Sequence, residues 1–153
     1  MRRAPVLWAF LAAACTTHQT PTATAPTPKS ALTGVVWQLV EFRSSDDQIG
    51  VIRPENPEAY SMTLGQDGRA ALQLNCNRGT GAWTAAETEP GMGRFSLGPI
   101  ATTRMLCPAP SLDEQIARHA EFVRSYVLSE GRLYLNLMAD GGTYVWEPSP
   151  SAR

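Results

Sequence analysis

Ala59-Tyr60-Ser61-Met62-Thr63-Leu64-Gly65-Gln66-Asp67-Gly68-Arg69-Ala70-Ala71-Leu72-Gln73-Leu74 decides the architecture of this chain. Apolar and small polar residues alternate through 59–64, Gln66-Asp67-Gly68 supplies a turn, and 69–74 returns. An Asp-Gly pair between two such runs predicts a β-hairpin. The same grammar recurs near the end, where Arg132-Leu133-Tyr134-Leu135-Asn136-Leu137 alternates, Ala139-Asp140-Gly141-Gly142 turns and Thr143-Tyr144-Val145-Trp146-Glu147 comes back. Upstream, Val35-Val36-Trp37-Gln38-Leu39-Val40-Glu41-Phe42 is rich in the β-branched and aromatic residues that suit a pleated surface. Weaker strands over Gly79–Thr84 and Arg94–Leu97 flank a turn at Glu89-Pro90-Gly91.

A single helix interrupts the strands. Ser111-Leu112-Asp113-Glu114 has the form of a capping box after the chain-breaking Pro108 and Pro110. Leu112, Ile116, Ala120, Val123 and Val127 then follow at helical steps, which predicts an amphipathic helix to about Tyr126 that ends toward Ser129-Glu130-Gly131. Glu114 and Arg118, four apart, belong to its wet face. Hairpins without repeated strand-helix-strand crossovers predict an α+β domain, a mainly antiparallel sheet with this amphipathic helix packed on it.

The 153 residues suffice for one domain. Thirteen Lys and Arg against 14 Asp and Glu lack the basic excess that phosphate neutralisation on nucleic acid favours, so no nucleic-acid partner is expected. At the start, Arg2 and Arg3 precede an apolar run over Ala4–Ala14, the make-up of a secretory signal. Its length falls short of the roughly 20 apolar residues that span a bilayer. Leu11-Ala12-Ala13-Ala14-Cys15 resembles the bacterial lipobox, with Ala12 where Leu is commonest. The expectation is cleavage after residue 14 and acylation of Cys15, which anchors the chain in the membrane because each buried methylene contributes about 0.8 kcal/mol. The alternative is a plain secretory signal cut near Ala14, leaving Cys15 a free thiol. Thr16, rather than Asp, follows Cys15. By the lipoprotein sorting rule that resemblance implies the outer membrane, facing the periplasm.

Residues 16–30 hold six Thr and three Pro without a bulky aliphatic or aromatic side chain. Such a segment has nothing to bury against the entropy of ordering, so 15–31 is expected to be a lipidated cysteine and a disordered tether, and His18 a solvated residue of it. The organisation expected is signal 1–14, tether 15–31, domain 32–147 and a flexible tail 148–153.

Within the domain three stretches carry a resemblance: Trp37-Gln38-Leu39, then Asn75-Cys76-Asn77-Arg78-Gly79-Thr80-Gly81-Ala82-Trp83, then Ile100-Ala101-Thr102-Thr103-Arg104-Met105-Leu106-Cys107. In this order and spacing, with Leu133-Tyr134-Leu135 and Thr143-Tyr144-Val145-Trp146 closing, they resemble the META domain, the HslJ-like heat-shock family of bacterial envelopes. Asn75 stands where the family usually has Gly, at a turn that needs positive φ, a region Asn tolerates better than most residues. The resemblance implies an open, barrel-like sheet with a helix, similar to that of a type III secretion pilotin. It also implies a link to heat-shock response and antibiotic resistance, without an agreed molecular activity.

With Cys15 assigned to lipid, Cys76 and Cys107 are an even pair in an exported chain, where an oxidising compartment favours a disulfide. The competing reading is a thiol enzyme pairing Cys107 with His119, or a metal-binding thiol. Serine-nucleophile, phosphate-loop and His-Glu-x-x-His motifs are missing, so no enzyme activity, cofactor or metal is expected. Asn77, Arg78 and Arg104 flank the cysteines, and a bridge brings the two arginines together as a candidate partner-binding patch for a carboxylate or phosphate. The opposing reading pairs these arginines with Glu87 or Asp113 or leaves them in water. Met105 and Trp37 are expected in the core, and the Trp83 indole needs a hydrogen-bond partner if buried. The functional expectation is a non-enzymatic envelope lipoprotein whose partner is an unknown envelope protein. The alternative is a small apolar-ligand or lipid carrier, or a pilotin-like assembly factor.

Overall fold

A computed structural model of the protein describes residues 31–150. The signal 1–14, Cys15 and the tether to residue 30 lie outside the described residues, as do residues 151–153. In chain order the strands are β1 (Val36–Arg43), β2 (Val51–Ile52), β3 (Tyr60–Leu64), β4 (Arg69–Leu74), β5 (Asn77–Glu89), β6 (Met92–Leu97) and β7 (Ala101–Thr102). Helix α1 (Asp113–His119) and a 3-10 turn (Ala120–Phe122) precede β8 (Val123–Ser129), β9 (Arg132–Leu137) and β10 (Thr143–Pro148).

The hairpin on which the fold was read is present, with Met62 opposite Leu72 and Leu64 opposite Ala70. Strands β1, β3, β4, β5, β6, β8, β9 and β10 follow one another by antiparallel pairing, and β10 pairs back onto β1. The sheet is therefore a closed eight-stranded barrel, not the open one the resemblance implied. Closure leaves no edge in the ring, and β2 and β7 are short additions to β1 and β5.

The predicted helix is corrected as well: it ends at His119, and Val123 and Val127 belong to β8. Barrel closure explains the difference, because β8 supplies the rung between β6 and β9, and only an extended chain can fill it. The capping box is not formed. Leu112 occupies the cap position without a side-chain cap, and the Ser111 hydroxyl donates instead to Asp113 Oδ1 at 2.7 Å.

Inside the barrel, Trp37, Leu39, Met62, Leu74, Leu133 and Trp146 are at most 2% exposed. The alternation of β1 changes phase at a bulge between Leu39 and Glu41, so Phe42 joins the core while Glu41 passes to the outer wall opposite Val145. There Glu41 Oε1 accepts from Arg43 at 2.6 Å and Oε2 meets Arg53 at 2.7 Å. Burial pushes the Glu41 carboxyl up, but these two guanidinium groups outweigh it and hold it below the usual carboxylate value. Helix α1 closes one mouth of the barrel through Ile116, and the space left between sheet and helix is about 10 Å³. That is about one water-sized sphere.

Candidate functional site

Beyond β7 the Thr103 amide still donates to the Arg78 carbonyl of β5, but among the described residues 104–112 pair with no strand and take their order largely from side chains. The Cys76–Cys107 disulfide is formed, with Cα atoms 5.4 Å apart, and ties this strap to the β4–β5 turn. Next to it Asn77 is 3% exposed, and its amide acts as a substitute strand for Met105. Oδ1 accepts from the Met105 amide at 2.8 Å and Nδ2 donates to the Met105 carbonyl at 2.9 Å. The same Oδ1 takes the Thr103 hydroxyl at 2.8 Å, and Nδ2 also donates to Asp113 Oδ2 at 2.8 Å. A buried amide thus meets the demand that its polar atoms be bonded, and in doing so sets the path of residues 103–107. Asn77 is a positioning residue, not a contact surface.

A second chain of bonds fixes the approach to α1. The single Ser111 hydrogen goes to Asp113, so Ser111 Oγ accepts from Tyr60 at 3.3 Å and from Asn75 Nδ2 at 3.0 Å. The Tyr60 oxygen in turn accepts the Leu112 amide at 3.0 Å. Asn75 holds φ at +57°, the turn conformation the family resemblance implied, and adds a side-chain bond that glycine lacks. Burial raises the Asp113 carboxyl, yet the bonds from Ser111, Asn77 and the Glu114 and Asp113 amides prevail, so it stays below the usual carboxylate value.

Between strap and helix lies a cleft of about 420 Å³. Leu74 and Ala117 give it apolar walls, Thr102, Arg104 and Met105 one lip, and Asp113, Glu114 and Arg118 the other. Met105 is 62% exposed and Leu106 fully so, which overturns the expectation that Met105 fills the core: Asn77 grips its backbone and leaves its side chain outside. Of the three candidate partner-binding residues, Asn77 is occupied, whereas Arg78 and Arg104 are exposed and form no ion pair among the described residues. Neither anticipated acid meets them. Glu87 accepts the Gly91 amide, and Asp113 is bonded to Ser111 and Asn77. Glu114 pairs with Arg118 at 3.0 Å on the wet face, as read from the sequence.

Cys107 carries no free thiol, and His119 lies with Tyr144, Nδ1 to hydroxyl 2.9 Å, beside Phe42. Burial, followed by the neighbouring Arg118, lowers the His119 imidazole from its ordinary value. The Trp83 indole donates to the Gly65 carbonyl at 3.0 Å. Read from the sequence, Ser111 and Asp113 belong to a capping box, not to this network with Asn77, and Glu41 and Thr103 have no structural role. For Glu41 the signal was present: the in-phase positions Trp37, Leu39 and then Phe42 break step, which is the mark of a bulge.

The META domain family matches residues 30–149. Among solved structures, an NMR structure of a protein from Burkholderia xenovorans is similar, with a TM-score of 0.63 and 18% identity over 90% of this chain and 99% of that one. A crystal structure of a DUF4847 family protein from Bacteroides vulgatus gives 0.54 and 14% identity over 78% of this chain and 95% of that one. At these identities the likeness concerns the fold alone. No curated protein matches the chain.

Proposed function

The chain belongs to the META domain family, and from that premise we propose that it is a non-enzymatic envelope lipoprotein, anchored through Cys15 at the outer membrane and binding a partner in the periplasm. Its role in this reading is stress response or envelope integrity, the setting the family resemblance implies. One observation carries it: a disulfide and a buried asparagine together hold Met105 and Leu106 out in solvent on a fixed backbone. A fully exposed leucine adds little to the fold, and two adjacent exposed apolar side chains on a fixed backbone beside a cleft favour a surface kept for a partner. A carrier with its ligand inside the barrel finds less support, because the interior leaves about 10 Å³ against the roughly 300 Å³ or more of ligand pockets.

The test is complementation. In a strain lacking the protein and sensitive to heat or to an envelope-active antibiotic, the wild-type gene restores growth and a Met105→Ser/Leu106→Ser double variant of unchanged melting temperature does not. Full rescue by that variant removes the strap from the binding role. Cys15→Ser moves the protein from the membrane fraction to the soluble periplasm, and its retention in the membrane sinks the lipid anchor.

A further inference from the structure

We propose that the cleft between strap and helix takes an extended peptide segment of the partner, one that carries a carboxylate next to an apolar side chain. This rests on the binding role given to the strap above and names the chemistry of what is bound there.

Three observations converge. The first is charge. Glu114 is paired with Arg118, and both oxygens of Asp113 are bonded to Ser111 and Asn77, so the acids of the cleft already have partners. Arg104 on the opposite lip has no ion pair among the described residues, and Arg78 next to the strap has none either. An incoming carboxylate meets an unpaired guanidinium, whose planar fork suits two parallel hydrogen bonds to it. An incoming cation meets acids whose charge is already offset by Arg118 or bonded by Ser111 and Asn77.

The second observation is backbone. Strand β7 is bonded to β5 on one edge, through Gly79 and Thr80, and no strand lies on its other edge among the described residues. Thr102 of β7 is part of the cleft wall. A free strand edge offers N–H and C=O groups at the spacing of another extended chain, which is how peptides add to sheets. A lipid or an inorganic anion has no use for such an edge, and this favours a peptide.

The third is preorganisation. Gly79 and Gly81 let the Ile100 side chain lie flat on β5, since a Cβ at either position falls 2.6 Å from an Ile100 carbon. The strap is then held to the start of β5 by Asn77, by the disulfide and by the Thr103 amide donating to the Arg78 carbonyl. The edge and the backbone that carries Arg104, Met105 and Leu106 are fixed before the ligand arrives, which lowers the entropy lost on binding.

The experiment uses the full exported chain carrying Cys15→Ser, disulfide intact, titrated with end-capped hexapeptides of sequence Thr-Leu-Val-Glu-Leu-Thr and with versions in which Glu is replaced by Gln or Lys. Amide shifts of Ala101, Thr102 and Arg104 are the readout, and the Glu peptide binds about tenfold tighter than the Gln peptide, the loss of one charge-assisted pair. Arg104→Glu reverses the preference toward the Lys peptide while leaving the melting temperature unchanged. Equal binding of all three peptides, or shifts at these amides with inorganic phosphate or phosphatidylglycerol vesicles but with no peptide, overturns the proposal. If no peptide binds and yet the Met105→Ser/Leu106→Ser variant fails to complement, the peptide assignment falls and the binding role stands.

Discussion

Where β1 meets β10, Leu39 faces Trp146 at 0% and 2% exposure, and the seam is held by what it keeps from water. On the strap, Leu106 is fully exposed and Met105 62% exposed, and order comes from the Asn77 amide, the Asp113 carboxylate and a disulfide. The two regions reach a fixed backbone by opposite means. A strand with neighbours on both sides gets its hydrogen bonds from the ladder and contributes its side chains to the core. A segment without a ladder partner must borrow side chains for its hydrogen bonds, and its own side chains are left for solvent or for a partner.

The comparison can be broken in measurable ways. Leu39→Ala removes a fully buried side chain from the seam and is expected to cost about 4 kcal/mol, seen as a lower urea midpoint with loss of protection throughout the barrel. Replacing both Cys76 and Cys107 by Ala frees a loop closed across 31 positions. The expected loss is about 3.5 kcal/mol, with strap amides exchanging faster than those of the seam. Asn77→Ala is expected to cost about 2 kcal/mol and to raise hydrogen exchange at Thr103 and Met105 first. If Leu39 and Met105 amides lose protection together in that variant, the two regions are one cooperative unit and the contrast fails.

Smaller effects sharpen it. Gly81→Ala sets a methyl against the Ile100 side chain and the Pro99 carbonyl and is expected to cost about 1 kcal/mol, read as a melting shift with an altered Ile100 methyl resonance. Acid gives the smallest effect. The Asp113 carboxyl is held below its ordinary value in the folded chain, so its contribution is complete above the unfolded value near 3.8 and is lost as pH falls through the folded one. Strap amide shifts therefore move only below about pH 4, and the movement disappears in Asp113→Asn. Glu41 behaves with the same sign on the outer wall, so a residual acid transition at Arg43 and Val145 persists in that variant.

Much of the sheet was legible in the sequence because strands advertise themselves locally. Alternation over 59–74 and 132–147 gave both hairpins and their turns. Closure was not legible, since the pairing of β1 with β10 joins the two ends of the domain and no local pattern records it. Strand β8 was hidden for another reason. Val123 and Val127 continue the three- and four-residue steps of α1, while Val123-Arg124-Ser125-Tyr126-Val127 is equally a β-branched and aromatic run, and the 3-10 turn at 120–122 switches the chain between them.

The strap was half legible. The cysteine pair could be read from an even count in a chain with an export signal, the positive φ of Asn75 from the family resemblance, and both appear in the structure. The exposure of Met105 could not, because hydrophobicity in a sequence cannot say whether a backbone is gripped by a buried amide. Arg104 is free for the same kind of reason: its candidate acid, Asp113, is taken by neighbours 36 residues away and two residues away in the chain.

Closure of the barrel through β1 and β10 also has a mechanical meaning. Trp37 sits beside Pro148, and the Ser149 amide donates to the Val36 carbonyl at 2.7 Å, so the chain enters and leaves the domain side by side. Tension applied between these two points does not shear the seam, which would load all its hydrogen bonds at once. Once buried Leu32, whose carbonyl accepts the Trp37 indole, is drawn out, the tension opens the seam like a zipper, one pair at a time from Val36 toward Arg43. A domain suspended from one end alone leaves that zipper unloaded.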